Sequence, residues 1–167
     1  MRHSFMNRIS RLLLVAVAVG KKVSDFRAAA TGGEVKLSAL RGSKVVLYFY
    51  PKDNTPGCTT QGGDFRDRFE AFGKAGAVIL GVSRDTLRSH EGFKSKHEFP
   101  FELISDPDET LCAQFGVIRM KNMYGKQVRG IERSTFVIDA DGKLAREWRG
   151  VKVPGHVDEV LEFVQSL

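Results

Sequence analysis

Residues 44 to 50, Lys-Val-Val-Leu-Tyr-Phe-Tyr, form a nearly continuous apolar run that is rich in β-branched and aromatic side chains. A run of this length and composition is typical of a strand that is buried on both faces. Because both of its faces must be removed from water, such a strand lies at the centre of a sheet that helices cover on both sides. The run therefore predicts an α/β architecture that is organised around this segment.

The rest of the chain alternates segments typical of strands with segments typical of helices. Further strands are predicted at 23–26, 34–37, 77–83, 99–104, 134–138 and 144–148. Helices are predicted through Phe65, Phe69 and Phe72 to Gly73, and at 86–97, 108–115 and 157–164. This order favours a mixed, mostly parallel central sheet that is flanked by helices.

The net charge of +6 is unevenly distributed along the 167 residues. Arg2, Arg8 and Arg11 have no acidic residue near them, which leaves a net charge of +3 for the chain beyond residue 18. In that part the basic residues are interspersed with all 20 acidic residues. No Lys or Arg run alternates with aromatic side chains as a single-strand groove requires, so the charge pattern does not predict a nucleic-acid partner.

Residues 1–18 differ in composition from the remainder, for which a single domain over 19–167 is predicted. Three arginines precede the apolar run 12–19, and Ala16-Val17-Ala18 fits the cleavage site of a secretory signal. Eight apolar residues are too few to span a bilayer as a helix, so no membrane segment is expected. Three interpretations stay open: a cleaved signal of a periplasmic protein, an N-terminal extension of a cytoplasmic one, or an early start codon, since Met6 could also initiate the chain. We expect the cytoplasmic location.

Two cysteines, Cys58 and Cys112, are too few for a disulfide framework, and the Cys and His residues lack the spacing of a zinc site. His90 and His97 lie on a predicted polar helix without a third ligand, and we interpret them as solvated surface. No nucleotide-binding glycine motif follows a predicted strand. Neither a metal nor a cofactor is therefore expected, and any special role of sulfur is chemical.

Cys58 follows the predicted central strand and a loop rich in Pro and Gly, at the start of a predicted helix. The unpaired N–H groups and the positive dipole end of a helix N-terminus favour a thiolate over a thiol. The alternative is a small buried apolar residue, which is the common role of a free cysteine. Because the neighbours of Cys58 are typical of loops and helix caps, we expect a reactive cysteine.

Residues 48–60, Tyr-Phe-Tyr-Pro-Lys-Asp-Asn-Thr-Pro-Gly-Cys-Thr-Thr, resemble the active-site segment of the peroxiredoxin Q, or bacterioferritin comigratory protein, subfamily of peroxiredoxins. The likeness extends from about Val19 to the C-terminus and includes residues 123–126 and 133–139. The resemblance implies a thioredoxin-like fold and a monomeric antioxidant enzyme. It also implies reduction of hydrogen peroxide and organic hydroperoxides to water and alcohols, with electrons from thioredoxin, glutaredoxin or a small thiol.

The resemblance assigns a role to four residues. Cys58 matches the peroxidatic cysteine, whose thiolate attacks a peroxide oxygen and becomes a sulfenic acid. Thr55 matches a threonine whose hydroxyl can accept from the backbone and donate to the thiolate or the peroxide. Pro51 matches a proline that packs over the site and limits the access of water. Arg133 matches an arginine that stabilises the thiolate and the charge on the leaving oxygen.

The chain departs from the subfamily at the position of a second cysteine. Many members carry it five residues after the peroxidatic cysteine, where this chain has Gly63, and Gln61 stands where a Glu is frequent. The usual partner for a disulfide within the helix is therefore absent. We expect a one-cysteine cycle, in which an external thiol attacks the sulfenic acid of Cys58 directly.

Two alternatives to the one-cysteine cycle stay open. Cys112, 54 residues downstream of Cys58, could resolve the sulfenic acid in an atypical two-cysteine cycle. Two helices would then have to unwind locally, because a disulfide requires Cα atoms about 4.4 to 6.8 Å apart. The second alternative is a peroxide-sensing switch that uses Cys58 without fast turnover. In the cycle that we expect, Cys112 is a buried structural thiol.

Overall fold

The structure of the protein is a computed structural model that describes residues 17–167. The signal-like pattern in the first 18 residues therefore lies almost wholly outside the described residues. The strands are β1 (Arg27–Ala30), β2 (Gly33–Lys36), β3 (Lys44–Phe49), β4 (Ala77–Ser83), β5 (Glu102–Ser105), β6 (Ile118–Met123), β7 (Lys126–Ile131), β8 (Ser134–Ile138) and β9 (Leu144–Arg149). The helices are α1 (Pro56–Asp67), α2 (Phe69–Lys74), α3 (Leu87–His97), α4 (Thr110–Phe115) and α5 (His156–Ser166), with a 3-10 helix at Leu37–Leu40.

Seven strands form one sheet in the order β2-β1-β5-β4-β3-β8-β9, and β6 and β7 form a separate hairpin. The predicted α/β class with a mixed central sheet and flanking helices is confirmed. Parallel pairing is confined to the three central strands, β3, β4 and β5, because helices connect them and carry the chain back across the sheet. Short turns join β1 to β2 and β8 to β9, so the outer pairings are antiparallel.

The two faces of the central strand pack against different helices. Side chains of β3 alternate between the faces, so Val45, Leu47 and Phe49 contact a core that includes α4. The alternate residues of this segment contact a second core, formed with α1, α2, α3 and α5. Burial on both sides agrees with the predicted position of this strand at the centre of the sheet. No helix within residues 17–167 is both long and apolar enough to cross a membrane.

Three elements differ from the sequence prediction. The helix predicted through Phe65 and Phe72 is interrupted at Arg68, whose guanidinium donates to the Asp64 carbonyl and to the Asp158 carboxylate of α5. The strand predicted at 23–26 begins four residues later, at Arg27. The sequence does not predict the hairpin of β6 and β7, because its strands are largely exposed, with only Ile131 fully buried, and so show no alternating pattern.

Two adjacent glycines of α1 have different surroundings. A Cβ atom on Gly62 would overlap the ring of Phe99, lying 3.0 Å from two of its carbons and still closer to a third. Phe99 cannot move easily, because it packs between Phe93 and Phe101 with ring centroids 5.0 and 5.2 Å away. A Cβ atom on Gly63 would meet only the flexible Arg66 side chain, at 3.4 Å. Glycine is therefore needed at position 62 for α1 to approach the sheet.

We expect Gly63→Ala to stabilise the protein by about 1 kcal/mol, because alanine loses less backbone entropy than glycine in a helix. Gly62→Ala gains the same backbone entropy advantage in the helix but forces Phe99 to shift. We therefore expect a net destabilisation of about 1 to 3 kcal/mol. Urea unfolding of the two variants and the wild type measures both effects. A stabilising Gly62→Ala would contradict the close approach of α1 to Phe99.

Candidate active site

Cys58 is the third residue of α1, and its side chain is 3% exposed. The helix begins at Pro56, where the absent N–H group costs no hydrogen bond, after an extended Thr55 at the N-cap. Cys58 therefore lies in the first turn of α1, where backbone N–H groups have no partner within the helix. This confirms the predicted location of Cys58 at a helix start, directly after the central strand.

Arg133 is the residue that the tertiary structure brings to Cys58. Its Nη2 atom lies 3.5 Å from Cys58 Sγ, and its Nη1 atom donates to Gln61 Oε1 at 2.6 Å. The next residue, Ser134, pairs with Phe49 in β3, and this register places Arg133 at the end of β3 from which α1 follows. Gly57 leaves room for the guanidinium, since a Cβ atom there would lie 3.2 Å from Nη2.

Gln61 holds Arg133 in place without neutralising it. It lies one turn after Cys58 on α1, and its side chain is fully buried. The amide oxygen accepts from the guanidinium, while Nε2 is one of two buried side-chain atoms in residues 17–167 that have no hydrogen-bond partner. Because the amide is neutral, the charge of Arg133 remains available to Cys58.

Tyr48 carries the other unpartnered atom, its hydroxyl oxygen, in the core that contains Cys58. The ring stacks on Phe65 and Tyr50, with centroids 4.5 and 5.6 Å away. Burial raises the pKa of Tyr48 well above its usual value, and the charges of Cys58 and Asp53 raise it further. The phenol therefore remains protonated beside the cysteine.

Pro51 and Thr55 are half-buried in the loop between β3 and α1. The Thr55 hydroxyl donates to the Lys52 carbonyl at 2.8 Å, and the Thr55 carbonyl accepts from the Thr59 N–H. No hydrogen bond joins Thr55 to Cys58 in the described part of the chain. With its proton directed at Lys52, the hydroxyl is free to accept a hydrogen bond. The structure thus brings Cys58 and Arg133 into contact and places Pro51 and Thr55 in the adjoining loop.

A buried network, which the sequence analysis missed, anchors this loop. The Asp53 carboxylate accepts from Tyr50 Oη at 2.6 Å and from Ser89 Oγ at 2.8 Å, and it lies 2.8 Å from His90 Nδ1. His90 Nε2 lies 2.9 Å from the Ile104 carbonyl, so both ring nitrogens face acceptors. The interpretation of His90 as solvated surface is wrong, because this side chain is fully buried.

The same network includes Asp85, which accepts from the Asp53 N–H at 2.9 Å and from Ser83 Oγ at 2.5 Å. Asp53, Asp85 and His90 bring potential metal-ligand atoms within 4.8 Å of one another. Each of these three side chains already makes hydrogen bonds within the protein. The arrangement is therefore that of a network that connects the loop to β4, α3 and β5.

We expect His90→Ala and Asp53→Ala each to destabilise the protein by about 3 kcal/mol, because each leaves its partner buried without the opposing hydrogen-bonding group. The double variant removes both members of the pair. The decrease in its free energy of unfolding should therefore be smaller than the sum of the two single decreases, by more than about 1 kcal/mol. Urea unfolding of the four proteins measures the coupling. Additive losses would show that the Asp53–His90 contact is not formed.

Cys112 lies in α4, in the core on the opposite face of the sheet from Cys58. Its N–H group donates to Asp106 Oδ2 at 2.8 Å, and its side chain is fully buried. Burial raises the pKa of the Cys112 thiol strongly, and the Asp106 carboxylate raises it further. Both cysteines are free thiols in this structure. Cys112 is therefore a poor nucleophile, and β3 separates it from Cys58.

A thioredoxin-like sheet with a cysteine at the first helix turn after its central strand, next to an arginine, defines a redox-active class of protein. The AhpC/TSA family model matches residues 19–147. The chain belongs to this family.

The relatives place the chain more closely within the family. It is 55% identical to the peroxiredoxin Bcp of Xanthomonas campestris over 135 residues, 81% of this chain and 84% of that one. It is 47% identical to the peroxiredoxin Bcp of Bacillus subtilis over 154 residues, 92% of this chain and 98% of that one. The resemblance to the peroxiredoxin Q subfamily is confirmed, and the protein is an antioxidant peroxidase that uses a thiol reductant.

Solved structures agree with this placement. One is the bacterioferritin comigratory protein of Xanthomonas campestris, studied for its alkyl peroxide reduction activity. It shares 52% identity and a TM-score of 0.80, over 84% of this chain and 90% of that one. Another is a PrxQ mutant of Xylella fastidiosa, with 42% identity and a TM-score of 0.86, over 90% of this chain and 97% of that one.

Proposed function

We propose that Cys58 is the peroxidatic cysteine of this peroxidase, which reduces hydrogen peroxide and organic hydroperoxides through a Cys58 sulfenic acid that an external thiol resolves. The observation that carries this proposal is the 3.5 Å contact between Arg133 Nη2 and Cys58 Sγ at the start of α1. A fixed guanidinium stabilises a thiolate, which is the nucleophile in peroxide reduction. The alkyl peroxide activity of the Xanthomonas campestris relative supports the inclusion of organic hydroperoxides.

In the proposed reaction the Cys58 thiolate attacks the terminal oxygen of the peroxide. The S–O bond forms as the O–O bond breaks, and the leaving oxygen takes a proton and departs as water or an alcohol. Negative charge moves from sulfur to the leaving oxygen, and Arg133, already directed at the sulfur, stabilises it along this path. The sulfur is oxidised by two electrons and is left as a sulfenic acid.

Thr55 and Pro51 are the proposed positioning groups for the peroxide. Since the Thr55 hydroxyl donates to Lys52, its lone pairs can accept a hydrogen bond from the peroxide O–H. Pro51 presents a ring without an N–H group in the same loop, which limits the water that reaches the sulfenic acid. The buried Asp53 between these two residues holds the loop in this conformation.

The positions of the two cysteines favour an external resolving thiol over Cys112. A disulfide requires Cα atoms about 4.4 to 6.8 Å apart. Cys58 and Cys112 lie in separate cores on the two faces of the sheet, so the backbone of the sheet stands between them. Thioredoxin, glutaredoxin or a small thiol supplies the thiol that attacks the sulfenic acid and, in a second exchange, releases Cys58.

The test is the intact mass of wild type and Cys112→Ser after one equivalent of hydrogen peroxide, quenched in denaturant with a sulfenic-acid trap. We expect a trapped adduct on Cys58 in both proteins. The loss of two hydrogens in the wild type alone would reveal a Cys58–Cys112 disulfide and overturn the one-cysteine cycle. If the oxidised protein were not restored by thioredoxin, glutaredoxin or dithiothreitol, Cys58 would act as a switch and the proposed turnover would fail.

We also propose that the protein acts as a cytoplasmic monomer, with one domain over 19–167 and residues 1–18 as an extension. The basic and apolar pattern of these residues has the alternative interpretation of a cleaved signal. Mass measurement of the protein from cytoplasmic and periplasmic fractions distinguishes the two. A periplasmic chain that starts at Val19 would contradict the cytoplasmic location. Sedimentation of the purified protein tests whether it is a monomer.

A further inference from the structure

The hairpin of β6 and β7, with the turn between them, is the most apolar part of the surface in the described residues. Eight large apolar side chains of residues 17–167 are exposed, and four of them lie in this fourteen-residue segment. They are Met120, Met123, Tyr124 and Val128. The hairpin forms its own two-stranded sheet, apart from the seven-stranded one. A cluster of exposed apolar side chains of this kind is typical of a protein-binding surface.

The same segment is basic. It contains Arg119, Lys121, Lys126 and Arg129 and no acidic residue. Arg129 forms an ion pair with Glu109, which also pairs with Arg84 and so attaches the hairpin to the rest of the protein. The other three cations form no ion pair with any residue that the structure describes. Arg119 and Lys126 are exposed, so their charge is available to a partner, whereas Lys121 is half-buried.

The strand register divides the hairpin into two faces. Arg119 lies opposite Gly130, Lys121 opposite Val128, and Met123 opposite Lys126. Because side chains alternate along a strand, one face carries Arg119, Lys121, Met123, Lys126 and Val128, and we call it the hairpin face. It combines the three unpaired cations with two apolar side chains.

The hairpin face adjoins the cysteine site. Lys121 Nζ donates to the Ile131 carbonyl at 2.6 Å, two residues before Arg133. Burial lowers the pKa of Lys121 and the nearby Arg133 lowers it further, while the charge of Cys58 acts in the opposite direction. Through Lys121 the hairpin face lies next to the segment that carries Arg133, so a protein bound to this face would lie near the cysteine site.

We propose that the hairpin face is the docking surface for the protein that reduces oxidised Cys58, and that this partner is an acidic, thiol-bearing protein. The inference rests on the proposed external resolution of Cys58. The exposed cations Arg119 and Lys126 match an acidic surface in charge, and Met123 and Val128 provide apolar contact area. Cys58 is 3% exposed, so a partner thiol needs the first turn of α1 to open while the partner remains bound beside it.

In the resolving step the partner's thiolate attacks Cys58 Sγ. The S–S bond forms as the S–O bond breaks, and the hydroxyl group leaves as water after taking a proton. A second thiol of the partner then attacks the mixed disulfide. Cys58 returns as a thiol, and the partner departs with its own disulfide, oxidised by two electrons.

The experiment compares two double variants that change the net charge equally. Arg119→Glu with Lys126→Glu reverses two charges of the hairpin face. Lys36→Glu with Lys143→Glu reverses two exposed charges away from it, in β2 and in the turn between β8 and β9. Turnover of hydrogen peroxide is measured with a thioredoxin of net negative charge, recycled by its reductase, and separately with dithiothreitol.

With thioredoxin, we expect the hairpin variant to raise KM for the reductant roughly tenfold, and the control variant to leave it unchanged. With dithiothreitol, both variants should match the wild type, because a small thiol needs no docking surface. Added salt should slow the wild type with thioredoxin only. Equal KM values for the two variants would overturn the docking proposal, as would a wild type that turns over with dithiothreitol and not with thioredoxin.

The catalytic cycle and the occupant of the hairpin face are each tested by one further outcome. A wild type that turns over with neither reductant would contradict the proposed catalytic cycle itself. A wild type that sediments as a dimer, and becomes a monomer on Met123→Ser with Val128→Ser, would show that a second copy of the chain covers the hairpin face. That result would overturn the assignment of this surface to a reductant.

Discussion

Cys58→Ser is expected to abolish peroxide consumption, with either thioredoxin or dithiothreitol as the reductant. Serine at position 58 is nearly the same size but has a hydroxyl that is far less acidic than a thiol and cannot form a sulfenic acid. The contact with Arg133 cannot compensate for this difference, because stabilising an anion does not supply the missing sulfur. The measurement is the rate of hydrogen peroxide loss under pseudo-first-order conditions.

Cys112→Ser is the matched control, because it removes the other thiol of the chain. We expect this variant to consume peroxide at the wild-type rate. Cys112 is fully buried, so serine at this position buries a polar hydroxyl. We expect this to reduce stability by about 1 kcal/mol or more, which thermal unfolding measures. A Cys58→Ser variant with residual turnover, or an inactive but folded Cys112→Ser, would contradict the assignment of Cys58.

Arg133→Ala is expected to lower kcat/KM for hydrogen peroxide by about 100-fold to 1,000-fold, the size of effect seen when one fixed donor to a developing negative charge is removed. The guanidinium contacts both Cys58 Sγ and Gln61 Oε1, so the variant also leaves a buried amide without a partner. We expect that second loss to reduce stability by about 1 to 3 kcal/mol.

Arg133→Lys separates the charge from the geometry of the guanidinium. Lysine keeps a positive charge but has one ammonium group, which cannot serve Cys58 and Gln61 as the two guanidinium nitrogens do. An intermediate kcat/KM is therefore expected, together with a smaller loss of stability than in Arg133→Ala. Stopped-flow peroxide kinetics and urea unfolding measure the two effects independently. Wild-type kinetics in Arg133→Ala would rule out the role proposed for this residue.

The sequence predicted best those features of the fold and the site whose physical cause lies in neighbouring residues. The apolar run of β3 predicts burial on both faces because every residue in it avoids water, whatever the remainder of the chain does. Cys58 could be placed at a helix start because Pro and Thr at the preceding positions are themselves signals of a helix N-terminus. The motif around Cys58 then led to the peroxiredoxin family, which the relatives confirm.

The sequence was least informative where a polar side chain finds its partner far along the chain. His90 looks like surface on a polar helix, yet it is buried against Asp53, 37 residues earlier, and the carbonyl of Ile104. The cationic strands β6 and β7 resemble loop sequence, because a largely exposed hairpin needs no apolar alternation. In both cases the deciding contacts are tertiary.

The sequence by itself determined the class of fold, the family, and the location of Cys58 at a helix start that favours a reactive thiolate. Each of these follows from the properties of neighbouring residues. The resemblance assigns Arg133 to the Cys58 thiolate, but only the tertiary structure shows the contact between them across 75 residues and the Gln61 side chain that holds Arg133 there. The tertiary structure also decided that Cys112 lies on the other side of the sheet. The physical reason is strand pairing and packing, which set the distances between residues that are remote in the chain.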